Sequence, residues 1–173
     1  MPLYTGWQMG KEVILKTEGL VGFVEAFLEV AKKSGIQKGD TVIFSGCPGS
    51  CFPTISNFAF AIQDLGAIMY WVPDADLDEA RKLEMVENVG MQAGEKEKPH
   101  GKAKLILITP GLLAVDFEKI PKMLQESLKK DGKIVGETPI PNFFENVGWE
   151  NKLPFDYIIE LNSCAVEVFQ FKR

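Results

Sequence analysis

The sequence carries only three cysteines and one histidine in 173 residues. Three cysteines are an odd number and too few for a disulfide framework, so thiols or metal ligands in a reducing cytoplasm are expected. A single histidine leaves little for a hydrolase triad. His100 follows Pro99 in a charged stretch, and neither Ser45 nor Ser50 sits in the Gly-x-Ser-x-Gly turn that exposes a nucleophile. No run approaches the ~20 apolar residues of a membrane-spanning helix. The opening residues MPLYTGWQMGKEVILK lack the basic start and apolar core of a signal peptide, so none is expected. Basic residues are also in deficit. Nineteen Lys and Arg face 24 Asp and Glu, a formal charge of -5, and a surface of that balance does not displace counterions from nucleic acid. The expected partners are a small molecule and a second copy of the chain, with neither nucleic acid nor membrane.

What is present is an ordinary globular composition, 46% hydrophobic and 25% charged, with 16 Gly and 10 Pro. One α/β domain over residues 1–173 is expected, burying roughly 70% of the surface of the unfolded chain. Helical spacing of apolar residues predicts helices over 19–34, 52–65, 77–86 and 115–130, the last interrupted by Pro121. Short apolar runs predict buried strands at 41–44, 67–72, 105–108 and 133–136. Two further strand-like runs, 155–161 and 164–171, flank Asn162 and Ser163 and read as a hairpin. The charged stretch 88–103 reads as a mobile, solvated loop, and 137–154 as a long connection. Alternating strands and helices predict right-handed crossovers and a three-layer α/β/α fold. Its sheet is expected to be mostly parallel, twisted and Rossmann-like, ending in an antiparallel hairpin.

In such a sheet, ligands bind beyond the C-terminal strand ends, where crossovers leave to opposite faces. With the first strand central, residues 45–51 and Thr109, Pro110 and Gly111 wall the crevice. Asp74 and Asp76 flank it, and Glu137 and Thr138 lie farther along the same edge. The candidate ligand-binding residues are Ser45, Gly46, Cys47, Gly49, Ser50, Cys51, Asp74, Thr109 and Gly111. Gly46 and Gly49 let the backbone come close to a ligand, and the following helix offers amides and its positive dipole end to an anion. The loop lacks the third glycine of G-x-G-x-x-G and the Lys-Ser or Lys-Thr of a phosphate loop. A nucleotide-like or S-adenosylmethionine-type ligand is therefore expected from position rather than from motif. Asp74 is placed to take ribose hydroxyls or to serve a turn. Asp76 with Glu79 forms a D-x-x-E helix start.

Cys47 and Cys51 share this turn as C-x-x-x-C. A thiol at a helix N-terminus has its thiolate stabilised, which makes the pair candidate catalytic thiols of a redox protein, or metal ligands. Small buried thiols are the plainer alternative. A three-thiolate iron–sulfur site would need Cys164, expected three or four strands away, roughly 14–19 Å at the ~4.8 Å strand spacing. Metal–sulfur bonds of ~2.3 Å do not span that distance within one subunit. A non-enzymatic interaction or scaffold domain is the third reading. Phe143, Phe144 and Trp149 either cap the crevice or pack beneath the long connection.

The run SGCPGSCFPTISNFAFAIQDLG with WVPDADLDEARKLEMVENVGM resembles a family of methanogenic archaea known as a domain of unknown function. The resemblance covers nearly the whole chain and implies a cytoplasmic, Rossmann-like protein of an anaerobe, with no assigned catalytic residues. A looser, architectural similarity is to class I methyltransferases. It rests on a glycine loop after the first strand, an acid after the second and a closing hairpin, and fold likeness alone does not carry function.

Overall fold

The computed structural model describes residues 10–162 and 165–171. Thirteen elements follow one another along the chain: β1 (Lys11–Glu18), α1 (Gly19–Lys33), β2 (Thr41–Gly46), α2 (Phe52–Ala61), β3 (Ile68–Pro73), β4 (Arg81–Val86), β5 (Gly90–Lys96), β6 (Ala103–Ile108), α3 (Lys119–Ser127), β7 (Leu128–Thr138), α4 (Phe143–Asn146), β8 (Tyr157–Asn162) and β9 (Ala165–Phe171). The four apolar runs become β2, β3, β6 and β7, and every residue of β2 is buried, as a strand covered on both faces requires.

All nine strands join one sheet in the order β1-β9-β8-β7-β6-β2-β3-β4-β5. The centre, from β8 to β3, is parallel. Both flanks are antiparallel, β1 and β9 on one side and β4 and β5 on the other. The fold is thus α/β around a mixed sheet. β2 is central, with β3 and β6 beside it, the arrangement that places a crevice at its C-terminal end.

Two apolar clusters cover the two faces. One lies under α1 and α2 and contains Phe23, Phe27, Phe44 and Phe58. The other lies under α3, α4 and the long connection and contains Ile106, Met123, Phe144 and Trp149. In the first, Phe58 stacks on Phe27 with ring centroids 4.7 Å apart and meets Phe23 edge-on at 5.1 Å. Phe58→Leu keeps the apolar burial but loses both ring contacts, and chemical denaturation should show a loss of about 1–1.5 kcal/mol.

Two expected elements are corrected. Residues 77–86 are not a helix: Leu77–Glu79 is one 3-10 turn, and Arg81–Val86 is strand β4. The stretch 88–103 is not a loop throughout, because Gly90–Lys96 forms β5, paired to β4 with Met85 opposite Met91. The spacing of Leu77, Ala80, Leu83 and Val86 fits a helix. Leu83 and Met85 fit a strand equally well, and the hairpin turn beyond them settles the ambiguity. Asn88 and Gly90 both take positive φ there, 61° and 100°. The charges at Glu95 and Lys96 sit on the sheet's outermost strand, where they discourage edge-to-edge pairing.

Other expectations shift in their bounds. The helix expected over 115–130 is the shorter α3, with Pro121 accommodated in its first turn. The strand expected over 133–136 is the longer β7, which starts at Leu128 and has a register irregularity against β6. No expected element covers the edge strand β1, whose half-exposed alternation is weak. The closing hairpin forms as β8 and β9, while Ser163 and Cys164 lie outside the described residues. Phe143, Phe144 and Trp149 are packed in the second cluster rather than capping the crevice.

Candidate functional site

The site is built from the turn that carries the chain from β2 into α2. Gly46 ends β2 against Thr109, which follows β6: the Thr109 N–H donates to the Ser45 carbonyl at 3.1 Å. A Cβ on Gly46 would overlap Thr109 Oγ1 and lie 3.0 Å from Cys51 Cβ. The chain then turns tightly, with the Gly49 N–H on the Cys47 carbonyl at 2.8 Å and the Phe52 N–H on the Gly49 carbonyl at 3.2 Å. Cys51 opens α2, and Pro53 occupies its first turn, where no amide hydrogen is needed.

This geometry brings the two sulfurs to 3.0 Å from each other. Cys47 is half-buried and Cys51 buried. Burial pushes the Cys47 thiol up, but hydrogen bonds from Ser50, from Cys51 and from the Cys51 and Gly49 amides outweigh it and hold the thiol below its ordinary value. Ser50 Oγ is 3.5 Å from Cys47 Sγ. Burial pushes the Cys51 thiol up, and the neighbouring Cys47 adds to this. The hydrogen bond from Thr109 opposes the rise without cancelling it. That bond, Thr109 Oγ1 to Cys51 Sγ, measures 3.2 Å. The half-buried Cys47 thiol is thus the more acidic of the two and the buried Cys51 thiol the less acidic.

The Cys51 and Gly49 amides at the start of α2 hydrogen-bond the Cys47 sulfur, and they belong to the loop expected to face an anionic ligand. Gly111 closes the site from the β6 side, since a Cβ there would overlap Cys51 Sγ and lie 2.7 Å from Cys47 Sγ. The glycines at 46 and 111 make room for the sulfurs and for Thr109. Gly111→Ala is expected to cost about 1–3 kcal/mol through overpacking, read by urea unfolding, and to change the reactivity of both thiols.

The structure therefore brings together Gly46, Cys47, Gly49, Ser50, Cys51, Thr109 and Gly111. Ser45 is turned away, its hydroxyl donating to the Val72 carbonyl at 2.7 Å. The Asp74 N–H donates to the Gly46 carbonyl at 2.9 Å. Asp74 and Ala75 both take positive φ, 53° and 54°, so this segment makes a tight non-glycine turn. Asp76 does cap, accepting from the Asp78 N–H at 3.0 Å, but it caps a 3-10 turn rather than a helix. A cavity of about 280 Å³ opens beside this segment, lined by Ala75, Asp76, Leu77, Asp78, Lys119 and Lys122 among others, and none of the thiol-loop residues lines it. His100 is exposed, with its ring 3.2 Å from a Glu97 carboxylate oxygen.

Glu137, expected along the same edge but not among the ligand-binding residues, has a distinctive environment. Its side chain is buried, with Oε2 in no hydrogen bond, and burial pushes its carboxyl up to about 8. The available signal was an acid ending the apolar run Ile134-Val135-Gly136. Among the described residues, no group of three or more His, Cys, Asp and Glu side chains is placed to share a metal ion. No helix among them is long and apolar enough to cross a membrane.

Comparison with known proteins places residues 18–163 within the family described as "Uncharacterized protein conserved in archaea (DUF2124)". An uncharacterized protein of Methanocaldococcus jannaschii is 30% identical over 152 residues, covering 85% of this chain and 88% of its own. One from Methanothermobacter thermautotrophicus is 29% identical over 131 residues, covering 73% and 82%. A crystal structure of a protein of unknown function from Methanothermobacter thermautotrophicus superimposes with a TM-score of 0.75 at 27% identity, over 86% of this chain and 92% of that one.

Proposed function

The chain belongs to the archaeal DUF2124 family, and from its geometry we propose that it is a thiol–disulfide exchange protein of a reducing cytoplasm. Cys47 is its nucleophile and Cys51 its resolving thiol. The observation that carries this reading is the pair of sulfurs 3.0 Å apart in unequal surroundings. The thiolate is the reactive form, and Cys47 is the thiol held below its ordinary value. Its sulfur attacks one sulfur of a substrate disulfide, forming a mixed disulfide and releasing one substrate thiolate. Cys51 then attacks Cys47 Sγ, the mixed bond breaks, and the second substrate thiol leaves. The substrate disulfide is reduced and the protein dithiol is oxidised by the same two electrons. An external dithiol resets the pair.

Dithionitrobenzoate, an aromatic disulfide whose thiolate product absorbs visible light, tests the scheme. With the reagent limiting, each molecule consumed should release both of its aromatic thiolates and leave a Cys47–Cys51 disulfide. Release of only one, with a stable adduct on Cys47, would reject a resolving role for Cys51.

A second reading, a small-ligand protein with a Rossmann-like centre, keeps the cavity lined by Asp76, Asp78, Lys119 and Lys122. A nucleotide or S-adenosyl compound would have to bind there rather than in the thiol loop. A ligand present at 100 times its Kd should stabilise the fold by ~2.7 kcal/mol in a thermal-shift assay.

A further inference from the structure

We propose that the Thr109 hydroxyl is the donor that holds the Cys51 sulfur and stabilises its anionic form for the attack on Cys47. This rests on the dithiol reading and assigns a residue to its second step. The buried hydrogen bond from Thr109 Oγ1 to Cys51 Sγ, 3.2 Å long, carries the inference. Thr109 stands at the start of the 3-10 turn Pro110–Ala114, where a threonine side chain commonly accepts from a turn amide. It makes no such bond here. Its single hydroxyl proton goes to the sulfur instead.

The surroundings fix that hydroxyl. Thr109 is fully buried. Its N–H donates to the Ser45 carbonyl at 3.1 Å, and its carbonyl accepts from the Leu112 N–H at 3.3 Å. Branching at Cβ leaves the side chain few rotamers, and Oγ1 occupies the space that a Cβ on Gly46 would need. A donor held in this way does not have to reorganise when charge develops on its partner.

The bond matters most in the mixed disulfide. In the reduced chain the two sulfurs share a hydrogen bond at 3.0 Å. Once Cys47 carries substrate, it no longer offers a thiolate to the Cys51 S–H. The Thr109 hydroxyl and the Cys47 amide then serve the Cys51 sulfur, with Thr109 the stronger of the two, against burial that disfavours its thiolate. Little else around the pair is charged. Residues 45–61 and 109–115 contain no charged side chain. From α1 come Phe23, Ala26 and Phe27. The segment leaving β3 brings Asp74, whose N–H donates to the Gly46 carbonyl. On β7, Glu137 faces the same side as Val135, and burial holds its carboxyl up to about 8.

During resolution Cys51 loses its S–H proton to water, and Thr109 keeps its own. The freed electron pair of Cys51 forms the bond to Cys47 Sγ. The bond between Cys47 and the substrate sulfur breaks, and its pair leaves on the substrate thiolate.

Stopped-flow release from limiting dithionitrobenzoate separates the steps, because the first thiolate reports Cys47 attack and the second reports Cys51. A Cys164→Ser parent confines both releases to the loop. Each unit by which a thiol rises costs tenfold in thiolate and returns only about threefold in nucleophilicity. In Thr109→Val the second phase should therefore slow at least about threefold relative to the first at neutral pH, and its inflection should move to higher pH. Above both inflections the variant should match or exceed the parent, because an unassisted thiolate is the stronger nucleophile. Thr109→Ala removes the same donor and should behave alike, while Thr109→Ser keeps the hydroxyl and should follow the parent. Circular dichroism checks that the variants are folded. A parent-like rate and pH profile in Thr109→Val and Thr109→Ala would overturn the role of Thr109 and leave the dithiol intact. So would a second phase slowed equally at every pH, or slowed as much in Thr109→Ser, because either marks a packing effect. A parent that gives no second release would overturn both readings.

Discussion

Cys47→Ser should consume no dithionitrobenzoate at its thiol loop, while Cys51→Ser should still release one aromatic thiolate from that loop and then stop at the mixed disulfide. The difference follows from the two environments. Serine at 47 retains the turn and its amide contacts, but a hydroxyl is not ionised at neutral pH and does not attack a disulfide. Serine at 51 removes the resolving sulfur and leaves the amides of Gly49 and Cys51 in place around Cys47. Peptide mapping by mass spectrometry distinguishes the two products, an unmodified loop against a stable adduct. Equal reactivity of the two variants would show that the thiols are not differentiated.

The second large effect concerns stability against pH. Glu137 titrates from an ordinary 4.5 to about 8 in the fold. Below the lower value, folded and unfolded chains both carry the proton and the group is neutral to stability. As pH rises through the interval the unfolded chain releases the proton and the folded one keeps it, so stability falls until the folded carboxyl also ionises near 8. At 1.36 kcal/mol per pH unit the span is on the order of 5 kcal/mol. Urea unfolding of wild type and Glu137→Gln at about pH 5 and about pH 9 should show the wild type losing more by roughly that amount. Parallel losses in the two proteins would mean that the carboxyl is not held in a dry environment.

Much of this arrangement was legible along the chain. The parallel centre could be read because β2, β3, β6 and β7 are continuous apolar runs, and such runs fit only strands covered on both sides. The loop between β2 and α2 could be read from Gly46, Cys47 and Cys51 together with the helix start at Phe52. Of the flanks, the closing hairpin of β8 and β9 could be read, while β1, β4 and β5 could not. β4 and β5 are short and half-exposed, and their apolar residues satisfy helical and strand spacing together, so a hairpin turn set by Asn88 and Gly90 decides the outcome.

The site was also read one step short. Gly46 and Gly49 are expected to admit a ligand's close approach, whereas the space left by Gly46 and by Gly111 is taken by Thr109 and the sulfurs. Distinguishing the two needs the packing across β2 and β6, which no local pattern encodes. For Glu137 only its place along the same edge is legible, for the same reason. An acid at the end of a strand is ordinary, and its burial with Oε2 unpaired follows only from packing across the sheet.

A redox titration tests the central claim most directly. The protein is equilibrated in buffers of reduced and oxidised glutathione, quenched by acid, and its products weighed by mass spectrometry. The dithiol mechanism predicts a single transition from the reduced chain to a chain lighter by two hydrogens, with the Cys47–Cys51 bond located by peptide mapping. The glutathione adduct on Cys47 should stay minor throughout and accumulate only in Cys51→Ser. A wild-type titration that ends in a glutathione adduct at Cys47, with Cys51 still reduced, would contradict it.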